Sequence, residues 1–531
     1  MSVTHIPFAS TGYFSKLICD YLDKKPDLSQ FYGNFPDVAG FKNQIRSKKT
    51  AFSAASRNLL VDALKNQYEN TAVSDVTNQN IALLSDENTF TVTTGHQLNI
   101  FTGPLYFLYK IVTAINLADR LKKEFPQQNF VPVYWMATED HDFEEIQYFN
   151  VNNTKISWKR ESSGAVGRLK TDRFEAVYHQ FSALLGTSQN ADDLRELFKN
   201  AYLNNENLAE ATRNLVNELF GMYGLVIVDG DDAKLKKSLV PFVKEELLHH
   251  ISFNQVSETD TRLESFTKIQ VNPREINLFY LKDSIRERII FENNLFKVNN
   301  TNLVFSENDI LQEVTAHPER FSPNVILRPL YQEIILPNLA YIGGGGELAY
   351  WFQLKDFFNA VAVPFPILVL RNSLLLATKK QLHKLDKLGI SISEIFSKQE
   401  ILIAKVVTKL SEINIDFSEQ KKHLQKQFAD LKVLAEKTDP TFLNAVNAQE
   451  KKQLNGLDNL EKRLLKAQKR KLSDVVERIV DLQNELFPHQ SLQERTQNFS
   501  VFYETMGDDL IPMLLKNIDP LKFEFAVIEF D

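Results

Sequence analysis

Two polar motifs, each at the end of an apolar run, constrain this chain more than anything else in it. The first, Thr93-Thr94-Gly95-His96-Gln97, follows Thr89-Phe90-Thr91-Val92. The second, Glu139-Asp140-His141-Asp142, follows Phe130-Val131-Pro132-Val133-Tyr134-Trp135-Met136. β-Branched and aromatic runs of this length read as strands. Between them Leu105, Leu108, Val112, Ile115 and Leu121 recur at near-helical spacing as far as about Glu124, and Pro126 ends the segment. Pro104 suits the first position of that helix, with Thr102 or Gly103 as its cap. Strand, helix, strand is a βαβ unit with parallel strands and a right-handed crossover. Pro132 marks an irregular start to the second strand. Two polar loops at the ends of two such strands describe the mouth of a binding crevice in an open α/β sheet.

With 531 residues the chain is too long for one simple core. The expected division runs as follows: residues 1–150, the first half of a Rossmann-like core, with 1–85 mostly helical; 151–220, an insertion that starts as a hairpin and continues as helices; 221–265, core, with a strand over 224–229; 266–305, a small antiparallel β insertion; 306–373, the second half of the core. In that last piece a strand over 361–370 carries Pro364 and Pro366, which place it at an edge. From residue 374 to 500 Lys, Glu, Gln and Leu dominate. Leu457, Leu460, Leu464 and Ala467, then Leu472, Val475, Ile479, Leu482 and Leu486, alternate spacings of three and four, a heptad seam. Asp439-Pro440 breaks the preceding helix, so a helical hairpin is expected. Residues 501–531 return to the core, ending in an alternating edge strand over 523–530.

Charge and cysteine usage narrow the class. Net charge is −7 and the sequence pI about 5.9, which argues against general nucleic-acid binding. Cys19 is the single cysteine, so no internal disulfide and no cysteine zinc site can form. The first twenty residues lack a secretory pattern, and no run approaches the length of a membrane span. A cytoplasmic protein is expected.

The chemistry-bearing residues gather in four places. Gly95, His96 and Gln97 stand where a strand gives way to a helix, and backbone N–H groups at such a junction bind anions. The sequence there is neither a Walker A loop nor GxGxxG. Between Glu139 and Glu145 five of seven residues are carboxylates. Such a cluster holds an ammonium group or Mg²⁺, with His141 as base or ligand, or is simply a solvated acidic helix start. Asn324 and Arg328 follow Ser322-Pro323, and Arg328 suits bidentate contact with a carboxylate or phosphate, or a structural ion pair. Finally, Gly343-Gly344-Gly345-Gly346-Glu347 gathers four of the chain's 18 glycines, a loop that would let backbone approach a ligand.

Taken together these residues resemble the bacillithiol-biosynthesis cysteine-adding enzymes, also called cysteine ligases. The resemblance lies in Thr94-Gly95-His96-Gln97 through Phe101-Thr102-Gly103-Pro104-Leu105-Tyr106 and Tyr109-Lys110. It continues in Pro132 to Ala137 with Glu139 to Ile146, in Ser322-Pro323-Asn324-Val325 with Leu327-Arg328-Pro329-Leu330, and in Tyr341-Ile342-Gly343-Gly344 with Gly346-Glu347 and Ala349-Tyr350-Trp351. It spans nearly the whole chain. The sequence departs from the family at His96, where glutamine is commoner, and at Gly345, where proline is commoner. The resemblance implies a Rossmann-like parallel-sheet core related to class I aminoacyl-tRNA synthetases, with connecting insertions and a C-terminal α-helical coiled coil that supports a homodimer. It implies addition of cysteine to the glucosamine amine of glucosaminyl-malate, the last step of bacillithiol synthesis. By analogy with adenylate-forming enzymes, ATP, with Mg²⁺ as a further candidate, would activate the cysteine carboxylate. Gly95, His96, Gln97, Thr102 and Gly103 would then lie near the nucleotide; His96, Asp140 and His141 would serve catalysis; Glu139, Asp140, Asp142, Asn324, Arg328, Gly344 and Glu347 would bind substrate, with no dedicated metal ligands. No KMSKS-like loop is evident. Two other classes stay open: a metal-dependent hydrolase built on Glu139 to Asp142, and a non-enzymatic coiled-coil adaptor.

Overall fold

Thr89–His96 (β1) and Asn129–Met136 (β2) run parallel in the computed structural model, which describes residues 2–531; Thr89 lies opposite Asn129 and His96 opposite Met136. The helix Tyr106–Glu124 joins them. Val226–Asp229 (β3), Asn338–Gly343 (β4) and Ile367–Leu370 (β5) complete a parallel sheet in the order β5-β4-β1-β2-β3. That is the order of doubly wound nucleotide-binding folds, and it reverses between β1 and β4. All residues of β1 and β4 are buried, as strands covered on both faces must be. Phe90, Val92, Ile342, Ile367 and Val369 pack with Phe41 and Ile45 of the helix Val38–Ala51 and with Ala114, Leu117 and Leu121 of Tyr106–Glu124. Pro132 precedes the β3 ladder, which begins at Val133 opposite Val226. β5 is an edge strand, and Pro364 and Pro366 lie just before it.

The helix after β1 begins at Tyr106, not at Pro104, and neither Thr102 nor Gly103 caps it. Phe101, Thr102 and Gly103 all have positive φ (47°, 66° and 64°), which no first helical turn accommodates. Burial explains the detour: the Phe101 ring packs among Phe149, Phe181, Phe198 and Phe499. The helix start is closed by the C-terminal region, since Leu105 N donates to the Gln497 carbonyl at 2.7 Å. Asn498 Nδ2 donates to the carbonyls of Phe101 and Gly103, each at 2.7 Å.

Insertions hang from this core. Tyr148–Val151 and Thr154–Ser157 form a hairpin turned at Asn152 and Asn153, both at positive φ, and three helices follow between Phe174 and Phe220. Leu278–Lys282, Ile285–Glu292, Leu295–Val298 and Val304–Phe305 make the antiparallel insertion, joined by Phe321–Pro323.

Two expectations at the ends are corrected. Glu524–Phe530 is no edge strand: it is the middle of a three-stranded sheet, antiparallel to Val3–Pro7 and parallel to Leu374–Thr378. Phe525 to Ile528 are all buried, so this strand needs a neighbour on each side. The C-terminal half therefore starts with a strand at Leu374 and turns helical at Lys379. Beyond it, Ser418–Ala435 and Pro440–Lys471 form the expected hairpin, held by Phe428, Ala435 and Val446, with Asp439 capping the second helix. Ile479, Leu482 and Leu486 of Ser473–Leu486 are buried against the body, whereas Leu460 of the earlier seam is half exposed.

Candidate active site

The ends of β1, β2 and β4 open into one cavity of about 680 Å³, roofed by the antiparallel insertion. Gly95, His96, Gln97, Glu139, Asp140, His141, Asp142, Asn324, Arg328 and Glu347 all line it. Thr102, Gly103 and Gly344 do not. Thr102 is buried in the strained turn; Gly344 caps the helix Gly345–Trp351 from behind the wall. None of the four glycines reaches the cavity. A side chain on Gly343 would strike Leu348 at 2.8 Å, so close packing of the chain on itself accounts for that glycine. Gly95 differs: a Cβ there would lie 3.3 Å from the Tyr341 hydroxyl and 3.7 Å from Arg328 Nη1.

An ion pair between a buried lysine and a partly exposed glutamate crosses the switch point. Lys110 Nζ, on the helix after β1, donates to the Gly95 carbonyl at 2.7 Å and meets Glu347 Oε1, after β4, at 2.5 Å. The Tyr341 hydroxyl donates to Glu347 Oε2 at 2.7 Å. Burial lowers the Lys110 pKa, and Glu347 opposes the shift. Beside this pair the His96 ring packs against Tyr106 and Phe107, and its Nε2 is buried with no partner. Burial, then Lys110 and Arg371, pushes the imidazole well below its ordinary range, so it is neutral at pH 7.

The acidic loop is not uniformly available. Glu139 pairs with the buried Lys236, which also donates to the Phe321 carbonyl at 2.7 Å. Asp140 holds the loop together: Oδ1 accepts from His141 N at 2.7 Å, and Oδ2 accepts from Gln97 Nε2 at 2.9 Å. Gln97 thus ties the first motif to the second. Asp142 is exposed toward the opening. Asp140, His141 and Asp142 bring ligand atoms within 4.8 Å of one another. Arg286 of the insertion contacts His141 Nδ1, stacks on Phe279 at 4.2 Å and donates to Ser322 Oγ at 3.1 Å, so a cation already stands beside this cluster.

Elsewhere in the lining the Asn324 side chain serves its own loop, accepting from Ile326 N at 2.9 Å and donating to Asn277 Oδ1 at 2.8 Å. Arg328 makes no ion pair among the described residues. It donates to Gln332 Oε1 at 3.1 Å and lies over the rings of Tyr341 and Trp135. Arg274 and Arg288 add two more guanidinium groups to the lining. Lys110, quoted above only within the family resemblance, and Lys236, Arg274, Arg286 and Arg288 had no role assigned from sequence. One local signal was present: Arg286 and Arg288 are two apart in a strand and so share a face.

The strand order, with a cavity at its point of reversal, defines a Rossmann-like ligand-binding core that carries a C-terminal helical coiled-coil domain. Residues 1–372 match the family model described as bacillithiol biosynthesis BshC, N-terminal Rossmann-like domain, and residues 374–530 match that of its C-terminal coiled-coil domain. The chain belongs to the bacillithiol biosynthesis BshC family. A relative from Flavobacterium johnsoniae is 56% identical over 98% of this chain and 99% of its own. One from Christiangramia forsetii is 54% identical over 100% and 99%, and one from Cytophaga hutchinsonii 38% identical over 99% and 98%. All three are described as "Putative cysteine ligase BshC". A solved Campylobacter jejuni structure, titled as an arginyl-tRNA synthetase, aligns with 84% of this chain and 98% of its own at 11% identity and a TM-score of 0.21, a likeness that carries no argument.

Proposed function

We propose that this protein is a ligase that joins the cysteine carboxylate to the glucosamine amine of glucosaminyl-malate, with ATP supplying the activation, in the last step of bacillithiol synthesis. The family and the names of its members support the ligase class. One observation carries the finer reading: the carboxylate loop 139–142 and Arg328, an arginine with no ion pair among the described residues, line the same cavity at the switch point. Together they suit a substrate that carries both an amine and acid groups.

In this reading Asp140 and Asp142 hold the incoming ammonium, and His141 takes its proton so that the neutral nitrogen attacks the activated acyl carbon. The phosphate-bearing group then leaves. His141 Nδ1 meets the Arg286 guanidinium, which only donates, so the imidazole can take the proton only once the arriving substrate has drawn that guanidinium aside. Neutral His96 and the Gly95 backbone border the phosphates, and Arg328 meets a carboxylate or phosphate. Thr102, Gly103 and Gly344, away from the cavity, have no part in it. The orphaned His96 Nε2 and the free guanidinium are what ATP would find. Two copies pair through the coiled coil, where Leu431, Leu434, Phe442 and Leu460 are exposed. A reducing cytoplasm suits the single cysteine, and no helix among the described residues is long and apolar enough to cross a membrane.

The test is direct. Purified protein is given cysteine, glucosaminyl-malate and ATP, and the product is followed by mass spectrometry. A bacillithiol product that needs all three supports the reading. Turnover without ATP removes the activation step; no product, together with normal bacillithiol in a strain lacking the gene, removes the whole assignment. Activity on ester or amide substrates abolished by a chelator would favour the hydrolase reading through Asp140, His141 and Asp142.

A further inference from the structure

Two buried lysines are compensated by carboxylates of the cavity lining. Lys110 meets Glu347 and Lys236 meets Glu139. Arg328 is treated differently, although a carboxylate is close by. The next residue along its helix face, Gln332, is fully buried, and its Nε2 donates to Glu333 Oε1 at 3.0 Å. Glu333 is fixed from its far side. Lys48 Nζ lies 3.0 Å from Oε2, and Asn338 Nδ2 donates to Oε1 at 2.6 Å. Asn338 is oriented in turn by the hydroxyls of Thr91 and Thr93, at 3.2 and 2.8 Å from its Oδ1.

This chain of contacts leaves Gln332 one orientation. Arginine only donates, and a carboxylate beside a lysine accepts. The amide nitrogen must therefore face Glu333 and the carbonyl oxygen must face Arg328. The amide passes on geometry and withholds charge. A glutamate at this position would sit against the guanidinium and neutralise it, as Glu347 neutralises Lys110. We infer that Gln332 is a positioning residue: anchored through Glu333 to Lys48, it aims Arg328 into the cavity and keeps its charge free for an anionic group of the ligand, a carboxylate or a phosphate. Which anion it is rests on the proposed reaction; the positioning itself does not.

The full-length protein is titrated by calorimetry with two probes, L-malate for a carboxylate and inorganic pyrophosphate for a phosphate. The variants are Gln332→Glu and Gln332→Met, and melting temperature is recorded for each. Gln332→Glu should weaken whichever probe binds by about tenfold or more, the worth of a charge-assisted contact. Gln332→Met removes the aim but not the charge and should weaken it less. Loss confined to malate assigns the carboxylate; loss confined to pyrophosphate assigns the phosphate. If Gln332→Glu does not fold, Gln332→Met decides. A purely structural role would lower the melting temperature and leave probe affinity unchanged, which overturns the inference, as does a wild-type protein that binds neither probe. Probe binding that depends on residue 332 in a protein with no ligase activity would uphold the positioning and remove the proposed reaction.

Discussion

At His96 the surroundings, burial first and then Lys110 and Arg371, hold the imidazole neutral. A base whose folded pKa lies below its unfolded value of 6.5 takes up a proton more readily when unfolded. The stability it permits is present above that value and falls away as pH drops below it. The loss from this group grows as the pH is taken from about 6.5 toward 5.5. The variant His96→Gln should therefore lose less melting temperature than the wild type when pH is lowered from about 7.5 to 5.5; an equal loss would show that His96 does not titrate this way. The Lys110–Glu347 pair makes a second case. Glu347→Ala strands a buried ammonium, and chemical unfolding should show a loss of about 2–4 kcal/mol, with Glu347→Gln losing less because an amide still accepts.

The strand-to-helix turn at residues 99–105 behaves as an element under tension. Three successive residues hold positive φ, and a Cβ on Gly103 would come within 2.6 Å of Asn99 Cβ. Gly103→Ala should be expressed poorly or melt far below the wild type. Asn498→Ala frees two carbonyls and should cost about 2–3 kcal/mol on chemical unfolding, with cavity residues untouched by sequence change. In the coiled coil, Leu434→Glu with Phe442→Glu should convert the proposed dimer to monomer in sedimentation without lowering the melting temperature of the body. Much of the element level was legible beforehand. The βαβ unit announced itself because continuous β-branched and aromatic runs bracket a periodic helix. Glycines were less informative: a residue such as Gly103 or Gly343 looks the same whether it admits a ligand, relieves a turn or lets two elements touch. Arg286 and Arg288 stayed hidden because only the tertiary arrangement brings the 278–305 insertion over the crevice, some 145 residues after His141. The end of β1 and the acidic loop were found because both directly terminate buried strands.

At the scale of the molecule, residues 493–498 bind the C-terminal half to the Rossmann core. Glu494 is fully buried, pairs with Arg371 at 2.8 Å and accepts from Leu374 N at 3.0 Å; Arg371 in turn lies over the Tyr106 ring at the cavity wall. Glu494→Ala should turn a single calorimetric transition into two, or broaden it, because the two halves lose their shared ion pair. The sheet at the other junction has a temporal implication. Among the described residues Val3–Pro7 pairs only with Glu524–Phe530, with Val3 opposite Ile528. On a ribosome adding about 5–20 residues per second, the earliest strand would wait on the order of half a minute to two minutes for the segment that pairs with it. During that wait its backbone groups are open to any other strand, so this is the strand of the nascent chain most in need of a chaperone.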